Sequence, residues 1–191
     1  ETYLNLTKLE VIIEKEVNKY ANMGYRVLLL GHTDEAIVDQ KLTDYSKITP
    51  FSLVLIEDNV RPDAVETIAY FKESGVEVKV ISGDNPLTVS KIAERAGITN
   101  ASKYISLDGV SDNQVRLAAK RYTVFGRVSP KQKQILVKEL KNQGHTVAMT
   151  GDGVNDILAL KEADCSIAVA SGSEAARNVS HLVLLDSNFG S

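Results

Sequence analysis

The sequence holds a single cysteine, few prolines and no long apolar run, and each shortage excludes something. One cysteine cannot form an internal disulfide; Cys165 lies in the apolar stretch Cys165-Ser166-Ile167-Ala168-Val169, which reads as a buried strand in a protein of a reducing compartment. No run of about 18 apolar residues occurs and no basic segment precedes an apolar one at the N-terminus, so neither a membrane span nor a signal peptide is expected within this stretch. An excess of one charge is also missing. The 22 basic and 25 acidic residues leave a formal charge of −3 with no basic block to collect phosphates, which argues against a nucleic-acid partner. His32, His145 and His181 are far apart in sequence and lack the spacing of a zinc site.

What is present is the mixture of an ordinary α/β protein: 43% apolar and 25% charged over 191 residues, enough for one domain and part of another. From Leu53 onward, apolar β-rich runs alternate with helical patterns: Leu53 to Ile56, Pro62 to Ser74, Val76 to Ile81, Pro86 to Ala96. That alternation predicts a Rossmann-like parallel sheet with helices on both faces. Pro62 and Pro86 suit first helical turns, and Gly75 and Gly97 suit left-handed positions just past helix ends. The series continues with a helix over Asp112 to Arg121, a strand over Thr123 to Phe125, a helix over Pro130 to Asn142 and a strand over Thr146 to Met149. A helix near Asp156 to Glu162, the Cys165 strand, a helix over Ser173 to Asn178 and a strand over His181 to Leu184 complete it. The run Leu182 to Leu185 reads as a buried sheet edge. The first fifty residues differ: Leu9, Ile13, Val17 and Tyr20 recur at helical spacing, Gly24 leads into the strand Arg26 to Leu30, and the segment 33–50 is polar. The boundary is placed near Thr49, dividing residues 1–48 from 49–191.

Three loops carry candidate chemistry. Thr150-Gly151-Asp152-Gly153-Val154-Asn155-Asp156 follows an apolar strand, and in an open parallel sheet ligands bind at strand carboxyl ends. Its carboxylates, Asp152 and Asp156, and the amide of Asn155 suit a magnesium ion that keeps its other positions for water and phosphate. The same loop, taken alone, also fits an ordinary Gly-Asp turn with a helix cap at Asp156. Ser82-Gly83-Asp84-Asn85 follows another strand and opens the helix at Pro86, where a hydroxyl and backbone N–H groups make an anion site or, equally, a simple helix cap. Lys133 falls in the first turn of a helix, where its charge adds to the amide end and favours a phosphate; a solvated surface lysine is the plainer alternative.

The ordered trio of hydroxyl loop, lysine and paired-acid loop resembles motifs two, three and four of the haloacid-dehalogenase superfamily. The string TGDGVND at Thr150 to Asp156 sharpens the resemblance to P-type cation-transporting ATPases, with supporting matches at 58–62, Ser82-Gly83-Asp84, Phe125 to Lys133, Ser171-Gly172-Ser173 and the tail 186–189. The resemblance implies a remnant of a nucleotide-binding domain and hinge over residues 1–48 and a phosphorylation domain over 49–191. It implies that Asp152 holds Mg2+ with Asp156 and Asn155 beside it, and that Lys133, Ser82 and Gly83 form the phosphoryl site. It further implies that Asp84 and Arg127 face the ribose of ATP, that Arg26 reaches its phosphates, and that Asp58 and Arg61 belong to the hinge. Finer matches around Tyr122 to Arg127 and Glu162 to Cys165 resemble a bacterial calcium-linked subgroup.

Two departures accompany the resemblance. Serine stands at position 82 where the family usually has threonine, which keeps the hydroxyl. No Asp-Lys-Thr-Gly occurs anywhere, so the chain lacks the aspartate nucleophile and the strand that carries it, and by itself is expected to be inactive. The expectation is the cytoplasmic part of an integral plasma-membrane pump, whose cation, Ca2+ in the calcium-linked reading, is bound in transmembrane segments outside this stretch. The sheet would keep a gap open to strand exchange or dimerisation. A soluble phosphatase of the same superfamily and a non-catalytic nucleotide- or phosphate-binding module are the alternatives.

Overall fold

A computed structural model of the chain describes residues 8–34, 47–57 and 59–186. The chain divides into two units, Glu1–Asp58 and Asn59–Ser191.

In the first unit, helix α1 (Lys8–Asn22) runs through the left-handed Gly24 (φ 90°) into strand β1 (Tyr25–His32), which pairs antiparallel with β2 (Thr49–Glu57) from Tyr25 opposite Glu57 to His32 opposite Thr49. The rings of Tyr20 and Tyr25 meet edge to face at 6.4 Å across the turn. Sequence alternation put Leu53 to Ile56 at the head of the parallel sheet; the structure corrects this, because every residue of that run lies opposite one of β1. The first unit thus includes β2 and runs to Asp58. Leu28, Leu29, Leu30, Phe51, Val54, Leu55 and Ile56 are all exposed on this ribbon. Two strands present too little partner surface to bury both faces of so apolar a hairpin.

In the second unit, α2 (Pro62–Glu73), β3 (Val80–Ile81), α3 (Pro86–Arg95), β4 (Tyr104–Ser106), α4 (Asp112–Arg121), β5 (Val124–Gly126) and α5 (Pro130–Asn142) form the first half. Strand β6 (Ala148–Gly151), a short 3-10 turn (Val154–Asp156), α6 (Ile157–Glu162), β7 (Cys165–Val169), α7 (Glu174–Val179) and β8 (Leu182–Leu184) form the second. The strands make two three-stranded parallel sheets, ordered β3-β5-β4 and β6-β7-β8. Among the described residues, β3 and β6 are each paired along one edge only. This shortens β3 to two residues where the apolar run Val76 to Ile81 predicts a longer strand, since half of its ladder has no partner.

Local signals fix the helix limits. Asn85 Oδ1 accepts from Leu87 N–H at 2.9 Å to start α3, and Ser129 with Gln132 closes a capping box at α5. Gln132 Nε2 also donates to Leu107 O (2.8 Å) and Val110 O (3.2 Å), tying that cap to the loop before α4. Gly75 and Gly97 end α2 and α3 at φ 75° and 83°.

Helix α5 packs on both halves: Ile135 and Leu136 join Leu107, Val115, Phe125 and Val128 in one core, and Val137 joins Met149, Ala159 and Leu160 in another. A third cluster sets Val89 and Ala93 of α3 against Val124 and Ala101, with the buried Ser90 hydroxyl donating to Ala101 O at 2.9 Å. Two sequence expectations about burial are corrected. Cys165 is half-buried, Ser166 and Ala168 being the enclosed residues of β7, and Leu182, Val183 and Leu185 are exposed because β8 is an outer strand.

The start of β6 is held by Asp164. Its Oδ2 accepts from Val147 N–H at 2.9 Å and its Oδ1 pairs with Lys141 Nζ at 3.1 Å, while Lys141 also donates to Glu162 O at 2.7 Å. The Val147 N–H bond first, and the Lys141 hydrogen bond second, hold the Asp164 carboxyl below the ordinary aspartate value of 3.8. A carboxylate whose folded-state value is depressed contributes stability that is present above the unfolded-state value and lost as pH falls through the folded one. Asp164→Asn should therefore lower stability at neutral pH and reduce its decline below that aspartate value, read as urea midpoints across an acid pH series; parallel profiles for both proteins would show that the pairing is energetically silent.

Candidate active site

The three sequence-defined loops meet through direct contacts. Ser82 follows β3; its N–H donates to Phe125 O (2.9 Å) and its carbonyl accepts from Val128 N–H (3.1 Å), so the hydroxyl loop is zipped to the end of β5. Ser82 Oγ accepts from Asp84 N–H at 3.1 Å, and Asp84 O accepts from Arg127 N–H at 2.9 Å. Arg127 sits at φ 52°, an uncommon left-handed conformation for a side chain of its size, held by that bond. Gly126 makes the junction possible: a Cβ there would lie 2.5 Å from the Cα and N of Pro86. Sequence reasoning passed over Gly126, whose only signal is a glycine immediately after an apolar strand.

Two residues past Val128, α5 begins and carries Lys133 in its first turn. Lys133 Nζ reaches Asp156 Oδ1 at 2.7 Å, with side chains only 12% and 9% exposed. The other oxygen, Oδ2, accepts from Gly153 N–H at 3.2 Å, and a Cβ on Gly151 would come within 2.6 Å of the Asp156 Cβ. Asp156 is thus folded under its own loop, while Asp152 and Asn155 are exposed beside it. Gly83 is exposed as well, with open space where a Cβ would stand, so its backbone is approachable at the start of α3.

The remaining expected residues lie elsewhere. Arg61 is the N-cap of α2, with Nε 4.0 Å from Asp63 Oδ1. Arg26 is on β1 opposite Ile56, in the first unit. Asp58, expected at the hinge, and the tail from Ser187 lie outside the described residues. Among the described residues no group of three or more His, Cys, Asp or Glu converges as a metal cage. The exposed Asp152 carboxylate in a glycine-rich loop nevertheless fits magnesium, which takes one or two protein carboxylates and fills its octahedron with water and phosphate oxygens.

Chemically, the arrangement sets a lysine cation, a hydroxyl loop at a helix N-terminus and an exposed carboxylate along one path of direct contacts. This combination can bind and neutralise a phosphoryl group.

The chain resembles known proteins over most of its length. The chain is 44% identical over 183 residues to a probable cation-transporting ATPase of Streptococcus pneumoniae, covering 94% of this chain and 24% of that protein. It is 42% identical over 178 residues to a calcium-transporting ATPase of Mycobacterium tuberculosis, covering 93% of this chain and 22% of that one. It therefore spans about a quarter of the length of the relatives it matches. A crystal structure of a zinc-transporting PIB-type ATPase in the E2.Pi state shares the fold, with a TM-score of 0.56 at 23% identity over 88% of this chain and 21% of the other. Residues 4–164 match the haloacid dehalogenase-like hydrolases, and the chain belongs to that family.

Proposed function

We propose that this chain is part of the cytoplasmic catalytic region of a P-type ATPase that drives a cation across a bacterial plasma membrane. The observation that carries the reading is the buried Lys133–Asp156 pair beside the exposed Asp152, at the point where β6 ends with its other edge unpaired. A parallel strand inserted between β3 and β6 would join the two sheets into one, and an aspartate at its carboxyl end would arrive beside Asp152 and Lys133. Helix α2 buries none of its residues although it carries Val65, Ile68, Tyr70 and Phe71. The apolar β1–β2 ribbon is, in the same reading, the margin of a larger nucleotide-binding sheet.

In this scheme the inserted aspartate attacks the γ-phosphorus of ATP and ADP leaves; water then cleaves the acyl phosphate, releasing inorganic phosphate and restoring the carboxylate. Lys133 supplies fixed positive charge toward the transferring phosphoryl oxygens. Ser82 Oγ and the N–H groups at Gly83 hold those oxygens from the opposite side. Asp152, with Asp156 and Asn155 beside it, would hold magnesium, which would supply positive charge beside the phosphoryl group. Asp84 and Arg127, locked together through the backbone, face the ribose, and Arg61 belongs to the hinge after β2. The calcium-transporting relative supports Ca2+ as the cargo, bound by transmembrane segments outside this stretch; no described helix is long and apolar enough to cross a membrane.

Sequencing the source reading frame through both flanks tests the proposal directly. An upstream Asp-Lys-Thr-Gly together with apolar spans of about 20 residues is the expected result; a start codon at Glu1 and no spans would overturn it.

The ion pair gives a second expectation. Lys133→Met strands a buried carboxylate and should cost about 3–5 kcal/mol, while Lys133→Met with Asp156→Asn should recover much of that loss. Urea unfolding of the two variants measures the difference, and equal stability of single and double variants would remove Asp156 as the partner.

The edges of β3 and β6 that are unpaired among the described residues predict self-association. Sedimentation analysis of the 191-residue chain should show dimers at micromolar concentration; a strictly monomeric species would show that the edges are protected.

A further inference from the structure

The exposed Asp152 carboxylate is useful only if its backbone is held still, and the contacts that hold it come from a segment outside the three candidate loops. Asp152 O accepts from Ser173 N–H at 2.7 Å. A Cβ on Gly172 would lie 2.7 Å from Asp152 O, 3.1 Å from Asp152 Cα and 3.0 Å from Val169 O, so the loop after β7 lies directly against the metal-loop backbone. All three of these neighbours are backbone atoms, which cannot swing aside as a side chain would.

That loop is itself clamped. Gly172 N–H donates to Val169 O at 2.9 Å, and Ala170 N–H to Leu184 O at 2.9 Å. Arg177 Nη1, projecting from α7, donates to Ala170 O at 2.7 Å and to Gly172 O at 2.6 Å. Ser173 Oγ accepts from Ala176 N–H at 3.2 Å, and Ala176 is buried against the core of the second half. A continuous line of bonds therefore runs from the Arg177 guanidinium through the Gly172 carbonyl and the Ser173 amide to the Asp152 carbonyl.

We propose that Arg177 and Gly172 are positioning residues for magnesium: Arg177 shapes the Ala170–Ser173 loop, Gly172 lets it approach, and Ser173 N–H fixes the backbone from which Asp152 presents its carboxylate. This rests on the reading of Asp152 as the metal ligand. Guanidinium geometry matters because one planar group serves two carbonyls from a single nitrogen; a lysine ammonium offers a point charge on a more flexible stem and would hold the loop less firmly. Outer contacts that orient a ligand commonly change metal affinity about 10- to 100-fold when removed.

The test uses the isotopically labelled 191-residue chain with Mn2+ alone as the probe, so that no phosphorylation is needed. In the unaltered chain Mn2+ should broaden the amide signals of residues around Asp152, and Asp152→Asn should abolish this. Arg177→Gln should weaken Mn2+ binding about tenfold and speed hydrogen exchange at the Ser173 amide by a similar factor, leaving exchange in the Leu136 core unchanged. Arg177→Lys should fall between the two. Gly172→Ala should reproduce the Arg177→Gln pattern in full, and if it fails to fold, the arginine series decides.

Unchanged Ser173 exchange and Mn2+ affinity in Arg177→Gln would overturn the proposal while leaving the metal role of Asp152 standing. Faster exchange throughout the core would also overturn it, by showing that Arg177 supports the fold as a whole. Absence of Mn2+ broadening near Asp152 in the unaltered chain would sink the metal reading and the proposal with it.

Discussion

The Lys133–Asp156 ion pair connects the first turn of α5, which follows the β3-β5-β4 sheet, to the loop that leaves β6 in the other sheet. Because both side chains are largely withdrawn from water, neither can lose its partner without leaving an uncompensated charge. The pair therefore ties the relative placement of the two halves of the second unit to the geometry of the candidate site. Asp156 also accepts from Gly153 N–H, so the same carboxylate shapes the loop that exposes Asp152.

Around this link, the site is built from backbone contacts that only small residues permit. Gly126 admits Pro86, Gly151 admits the Asp156 side chain, and Gly172 admits the Asp152 backbone. These approaches bring the carboxyl ends of β3, β5 and β6 and the loop after β7 into one chain of bonded neighbours. Arg127, at φ 52°, is the point where this packing holds a non-glycine residue in a sparsely populated conformation, and it does so next to Asp84, another candidate for the nucleotide.

The division of the second unit into two parallel sheets follows from hydrogen-bond accounting. A strand with partners on one side only leaves half its backbone groups for water or for another chain. The short β3 and, among the described residues, the one-sided β6 belong to this condition, and the apolar β1–β2 ribbon shows a comparable shortage of partner surface in the first unit.

The sequence by itself determined the helices and the loops of the site. Pro62 and Pro86 at first turns and Gly75 and Gly97 as stops are local chemistry, readable without knowing what lies across the fold, and the helical patterns over Asp112 to Arg121 and Pro130 to Asn142 match the observed limits of α4 and α5. The order of Ser82, Lys133 and Asp152 to Asp156 was likewise legible, since strand-to-helix junctions are themselves local. Only the tertiary structure decided that Thr49–Glu57 pairs with β1, that β8 is exposed, that Lys133 and not solvent is the partner of Asp156, and that Gly172 and Arg177 stand behind Asp152. The reason is physical: strand partnership, burial and close backbone approach depend on residues distant in sequence, and an apolar run such as Leu53 to Ile56 fits either sheet until its neighbours are known.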